Sequence, residues 1–157
     1  MADFDHIMKE LEKLTTKEFC LNDGITSHAN EIYSYLTRVM YQRRSKIDPL
    51  WNQCLVAGFD GEGKPMLGLV DLYGTAYKDK VIATGYGAYI VQGNMRKVQS
   101  DSMTEEEARA LLIKCLTVLY YRDARAMNEV QIATVTKEGI TIGDPFKVET
   151  DWSIGTR

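Results

Sequence analysis

Apolar residues at Phe4, Ile7, Met8, Leu11 and Leu14, with Phe19 beyond them, recur at three- and four-residue steps. That period predicts a helix over 3–21 with one buried stripe. Asn22-Asp23-Gly24 breaks it, glycine being the residue best able to take the left-handed conformation at a helix end. Thr26 and Ser27 stand where they can cap a second helix running to about residue 46. Its stripe is Ile32, Tyr33, Leu36, Val39 and Met40, and Asp48-Pro49 stops it. From Asn52 the pattern changes to short apolar runs, Cys54 to Phe59 and Met66 to Leu72, split by Asp60-Gly61-Glu62-Gly63-Lys64-Pro65. Two such runs around a Gly-rich turn predict a β-hairpin. Their near-continuous apolar character predicts a sheet covered on both faces. Further short strands are expected at 74–77 and 81–84.

Gly85-Tyr86-Gly87-Ala88 leads into a helix expected over 89–98. Thr104 followed by Glu107 is a capping box, and three early acids suit the positive end of a helix. The helix they open is expected to bury Ala108, Leu111, Leu112, Cys115, Val118 and Leu119 and to end at Tyr120-Tyr121-Arg122-Asp123. Val130, Ile132 and Val135 open a strand that Lys137-Glu138-Gly139 turns back into Ile140-Thr141-Ile142. The rest, from Asp144, lacks periodicity, and Trp152 there either folds back or meets a partner. Helices and strands come in groups rather than alternating, which argues for stacked layers of an α+β fold and against a doubly wound sheet.

At 157 residues the chain is expected to form a single domain over 1–157 with a sizeable core. A net charge of −3 offers no electrostatic case for nucleic acid or an anionic membrane. Arg43, Arg44 and Lys46 gather at the second helix's end, where the helix dipole favours cations in any case. No apolar run approaches membrane-spanning length. Cys20, Cys54 and Cys115 are odd in number and widely spaced, which fits neither a disulfide framework nor a CxxC site and suggests a reducing compartment. His6 and His28 lack companions at metal-ligand spacing. Gly85-x-Gly87 is only half of a dinucleotide fingerprint. No cofactor is therefore implied.

One carboxylate stands out. Asp123 sits at the end of a helix that disfavours negative charge, between Arg122 and Arg125. It reads equally as an anchor for its turn or as a catalytic acid, with Asp71 a candidate partner.

The segments LTRVMYQRRSKIDPLWN, LGLVDLYGTAY, ATGYGAY, LYYRDARAMNEVQIATVTKEG and ETDW resemble the β-type subunits of the eukaryotic proteasome core particle, and within them the non-catalytic beta type-4 group. The resemblance runs from about Ala2 to the tail. It implies a four-layer αββα sandwich of the N-terminal-nucleophile hydrolase type, missing the first strands. It also implies assembly with other α and β subunits into stacked rings, in cytoplasm and nucleus. Active relatives use an N-terminal threonine with an acid and a lysine on strands that would precede Ala2. They also carry a serine in the glycine-rich stretch, which here is Gly85-Tyr86-Gly87-Ala88, and an Arg-Asp-x-x-Ser turn. Asp123 matches that aspartate, and Ala126 takes the place of that serine. The resemblance therefore implies no catalytic residue in this chain, and a role in assembly. It marks Asp151, Trp152 and Ile154 as interface candidates. Without the first strands, the isolated chain is expected to be poorly stable or to self-associate. Two other readings stand beside this one: part of a catalytic threonine peptidase with its nucleophile upstream, and an unrelated α/β interaction module.

Overall fold

The computed structural model describes residues 2–153. It is a mixture of helix and antiparallel sheet, and contacts divide the chain after Ile82 into two compact units.

The first unit opens with α1 (Ala2–Leu21) and α2 (Ala29–Ser45). β1 (Cys54–Phe59), β2 (Pro65–Val70) and β3 (Ala76–Lys78) follow, forming an antiparallel sheet in the order β1-β2-β3. Register is set by the hairpin, with Phe59 opposite Pro65 and Cys54 opposite Val70. α2 lies across β1 and β2. The core beneath it is Ile7, Leu36, Met40, Leu50 and Val70, joined by half-buried Tyr33, Val56 and Ala76. Two glycines allow the helix its closeness. A Cβ on Gly68 would come within 2.6 Å of the Tyr33 ring, and one on Gly58 within 2.6 Å of the Ala29 methyl. The opposite sheet face differs from the expectation of uniform cover: Leu69 is buried there, whereas Leu55 and Tyr77 are exposed.

Both turns of this sheet are closed by an aspartate. Asp60 accepts the Glu62 and Lys64 N–H groups at 3.0 and 2.8 Å, and Asp71 accepts those of Tyr73 and Thr75 at 2.8 and 2.9 Å. Gly74, at φ +77, packs against the Tyr41 backbone, where a Cβ would have no room.

Two helix caps depart from the sequence reading. α1 ends with Asn22, not a glycine, in the first left-handed position at φ +48. The cap of α2 is His28, not Thr26 or Ser27. Ser27 is otherwise engaged: its hydroxyl and its N–H both donate to the Glu18 carboxylate of α1. The His28 N–H donates to Glu31 at 2.9 Å, one arm of a capping box. At its far end α2 closes in a Schellman motif, with Ile47 N–H on Arg44 C=O and Asp48 N–H on Arg43 C=O, both 3.1 Å. The left-handed residue is Ile47, at φ +58, where a β-branched side chain is strained.

The second unit holds α3 (Gly87–Ile90), α4 (Gln92–Val98), α5 (Glu105–Arg122) and the hairpin β4 (Ala133–Val135) with β5 (Ile140–Ile142). The single helix expected over 89–98 is in fact two short ones meeting at Val91, whose φ of −114 interrupts the spiral. The strand expected at 81–84 does not form; that stretch is irregular, with Val81 and Ile82 buried. The capping box of α5 is present, with Thr104 N–H on Glu107 at 2.8 Å and Glu107 N–H on the Thr104 hydroxyl at 3.3 Å. Cys115 is buried as expected, but Leu112 is exposed. Leu111, Leu112 and Ile113 are consecutive and point in three directions, so one packed face cannot take them all.

Candidate functional site

The end of α5 and the turn after it hold the residues that the sequence singled out. Asp123 is the helix C-cap, with extended backbone and its N–H on Leu119 C=O at 2.8 Å. Its carboxylate accepts the Arg125 N–H at 3.0 Å, and its C=O accepts the Ala126 N–H at 3.0 Å. The side chain thus closes a turn in the same way as Asp60 and Asp71. Asp23 and Asp151 repeat the arrangement, accepting N–H groups two residues on at 3.0 and 2.9 Å. An aspartate that bonds its own backbone two residues ahead is a standard turn device. The unfavourable helix end is offset by the Arg125 N–H that the carboxylate accepts and by Arg122 in the last turn. Arg125 contributes its backbone; its guanidinium lies 6.0 Å over the Tyr86 ring.

A cleft of about 230 Å³ adjoins the turn, lined by Thr84, Gly87, Leu119, Asp123, Ala126 and Val130 among others. The glycine-rich stretch meets α5 there: a Cβ on Gly87 would lie 3.7 Å from Leu119 and 3.3 Å from the Ala83 methyl. The structure therefore brings Gly87, Asp123 and Ala126 to the lining of one cleft, a convergence that spacing alone could not supply. Asp71 stays bound into its own hairpin turn.

The aperiodic tail is tied down by side chains. Val130 and Phe146 form a bridge, and the Asn128 amide grips Val148 by both backbone groups, donating at 3.1 Å and accepting at 2.8 Å. The Tyr121 hydroxyl accepts the Asp151 N–H at 2.6 Å and donates to Asp151 C=O at 3.3 Å. Trp152 stands edge-on to the Tyr120 and Tyr121 rings, with centroids 5.9 and 5.0 Å away, yet stays 57% exposed. The Ser153 hydroxyl and N–H hold the Asp151 carboxyl below the usual carboxylate range. Ile154 lies outside the described residues. The Asn128 clamp was missed in the sequence; an asparagine matching an extended backbone across twenty residues leaves no local pattern.

The remaining candidates are placed plainly. His6 lies 4.0 Å from Glu10 one turn along α1, and the His28 ring stands over Gly61. Cys20 is exposed and Cys115 buried; burial pushes the Cys115 and Cys54 thiols up. Among the described residues no three His, Cys, Asp or Glu side chains gather as a metal site. Among them, too, no helix is long and apolar enough to cross a membrane.

Residues 1–135 match the family model described as proteasome subunit. The chain belongs to the proteasome subunit family. It is 43% identical to "Proteasome subunit beta type-4" of Xenopus laevis, over 98% of this chain and 64% of that protein. The protein of the same name from Dictyostelium discoideum is 43% identical over 98% of this chain and 60% of its own length. That from Arabidopsis thaliana is 38% identical over 99% and 63%. The chain thus spans somewhat under two thirds of the length of these relatives. The resemblance read from RRSKIDPLWN and YYRDAR is to the same group.

Proposed function

We propose that this chain is a non-catalytic, structural subunit of the β ring of the proteasome core particle. It contributes to ubiquitin-dependent and other intracellular protein degradation through assembly contacts. In this reading 1–157 is one domain and part of a four-layer αββα sandwich of the N-terminal-nucleophile type. Its partners are the other α and β subunits of a stacked-ring assembly in the cytoplasm and nucleus, with neither nucleic acid nor membrane involved.

The observation that carries the reading is the Asp123 turn. Its carboxylate is bonded to Arg125 N–H, and Ala126 presents a methyl group where the resemblance implies a serine hydroxyl. A turn that supports a nucleophile needs a donor or acceptor aimed at it, and a methyl group is neither. The beta type-4 relatives support the same assignment. Asp151 and Trp152, with Ile154 beyond them, are the proposed interface residues. Trp152 is pre-positioned by two tyrosines while keeping most of its surface available, as an interface anchor does.

The test is a threonine-directed covalent inhibitor applied to the native assembly, followed by mass spectrometry of each subunit. This subunit should stay unlabelled while active relatives are modified. A labelled form would favour instead a catalytic peptidase with its nucleophile upstream.

A further inference from the structure

Two Asp-Gly pairs, Asp23-Gly24 and Asp60-Gly61, occupy exposed turns of the first unit, yet they are held very differently. Asp60 is locked. Its carboxylate accepts two N–H groups, from Glu62 and Lys64. Its own N–H and C=O are bonded to Lys64 C=O and Gly63 N–H at 3.0 and 2.9 Å. The His28 ring lies 3.4 Å from where a Cβ on Gly61 would be. Asp23 has one side-chain bond, the Ile25 N–H at 3.0 Å. Gly24, at φ +76, has nothing within 4 Å of its Cβ position.

We propose that Asp23 is a modification site, converting spontaneously to isoaspartate and becoming a substrate for carboxyl methylation by an isoaspartate-repair methyltransferase. The Gly24 amide nitrogen attacks the Asp23 side-chain carboxyl carbon. A C–N bond forms, and the carboxyl hydroxyl leaves with the amide proton as water, closing a five-membered succinimide. Water then adds to either ring carbonyl. Cleavage at the side-chain carbonyl restores aspartate; cleavage at the main-chain carbonyl leaves the chain running through the side-chain methylene. No oxidant or reductant is involved. Glycine favours the step because it has no Cβ to block the approach and rotates freely. At Asp60 the same rotation must break two charge-assisted bonds and push against His28. The hydroxyl that must leave is also scarcer there, because the Lys64 and Glu62 N–H groups hold the Asp60 carboxyl below its usual range.

Modification at Asp23 would matter locally. The extra methylene lies in the loop that carries Ser27, whose hydroxyl ties α2 back to Glu18 of α1.

The full chain is to be aged at neutral pH and digested, and both Asp-Gly peptides analysed by mass spectrometry that separates isoaspartate from aspartate. Recombinant isoaspartate methyltransferase with labelled S-adenosylmethionine provides a second readout. In the folded chain, isoaspartate at 23 should exceed that at 60 by at least about tenfold, the effect two such hydrogen bonds can supply. In concentrated guanidinium chloride the two rates should converge, since both pairs are Asp-Gly. D23E should abolish methyl incorporation in the folded chain. Equal rates at the two sites in the folded chain, or a faster reaction at Asp60, would overturn the proposal. So would methyl incorporation that D23E leaves unchanged.

Discussion

The hairpins β1–β2 and β4–β5 are built from the same kind of sequence and end in different surroundings. Both alternate or run apolar, both turn through glycine, and both pair antiparallel in register. In β1–β2, six residues a side lie beneath α2, and Val70 is fully buried. In β4–β5, three residues pair on each side, and Ile140 and Ile142 remain 68% and 64% exposed. A covered hairpin gains the transfer free energy of its side chains, about 1.5–3 kcal/mol for each large apolar residue fully buried. An uncovered one rests on its turn, its ladder and a few side-chain ties. Here those are the Thr134 hydroxyl on Glu105 at 2.9 Å and the bond of Gln131 to Gly143 C=O at 2.9 Å. Pairing two strands is therefore a local matter, whereas stability depends on what is laid over them.

The largest effect should come from removing the cover. Met40→Ala, at a fully buried position of α2, is expected to cost about 2–5 kcal/mol, read as a fall in the denaturant midpoint. Gly68→Val strikes the same contact from the sheet, driving methyl groups into Tyr33, and should cost about 1–3 kcal/mol. If either change were silent, α2 would not be what distinguishes the first hairpin. Ile47→Gly relieves the strained helix end that leads into β1. It should stabilise the chain by about 1 kcal/mol, seen as a raised melting temperature. Ile142→Thr on the uncovered hairpin should change stability by no more than about 0.5 kcal/mol in a denaturant titration. A large loss there would mean that the side chain is covered after all.

Acid separates the two turns. The first is anchored by Asp60, whose carboxyl lies below the usual range because the Lys64 and then the Glu62 N–H groups bond its charged form. A lowered folded value contributes stability that is present above the ordinary aspartate range of about 4 and is lost as pH falls through the folded value. The second turn is anchored by the Thr136 hydroxyl, which accepts the Glu138 N–H at 3.2 Å and does not titrate in this range. Below about pH 4, amide exchange at Glu62 and Lys64 should quicken relative to Glu138, once corrected for intrinsic rates. Equal protection at both turns down to low pH would count against Asp60 as the anchor.

Much of this was legible locally. The helices α1, α2 and α5, the Thr104 capping box and the Asp60 hairpin follow from period and turn chemistry, and the structure has them. The stripe expected on α1 is buried only in part: Ile7 is in the core, whereas Phe4, Met8 and Phe19 are exposed, as Leu112 is on α5. The misses share a cause. Ser27 reads as a cap until Glu18, nine residues earlier, takes its hydroxyl. The 81–84 run reads as a strand, but period alone cannot supply a partner strand. Ile47 is left-handed because the Schellman bonds and Asp48-Pro49 demand it, against the preference of its own side chain.

The candidate site divides along the same line. Sequence by itself determined that Asp123 ends α5, that Ala126 follows three residues on, and that the segments around them resemble the proteasome β-type subunits. These are matters of order and spacing along one chain. Only the tertiary structure decided what the Asp123 carboxylate does, bonding Arg125 N–H like four other turn aspartates. It alone brought Gly87 to the wall of the same cleft and stood Trp152 against Tyr120 and Tyr121. The reason is range. Helix period, caps and turns act over a few residues, whereas burial and the choice of hydrogen-bond partner depend on which distant segments the packed chain brings together.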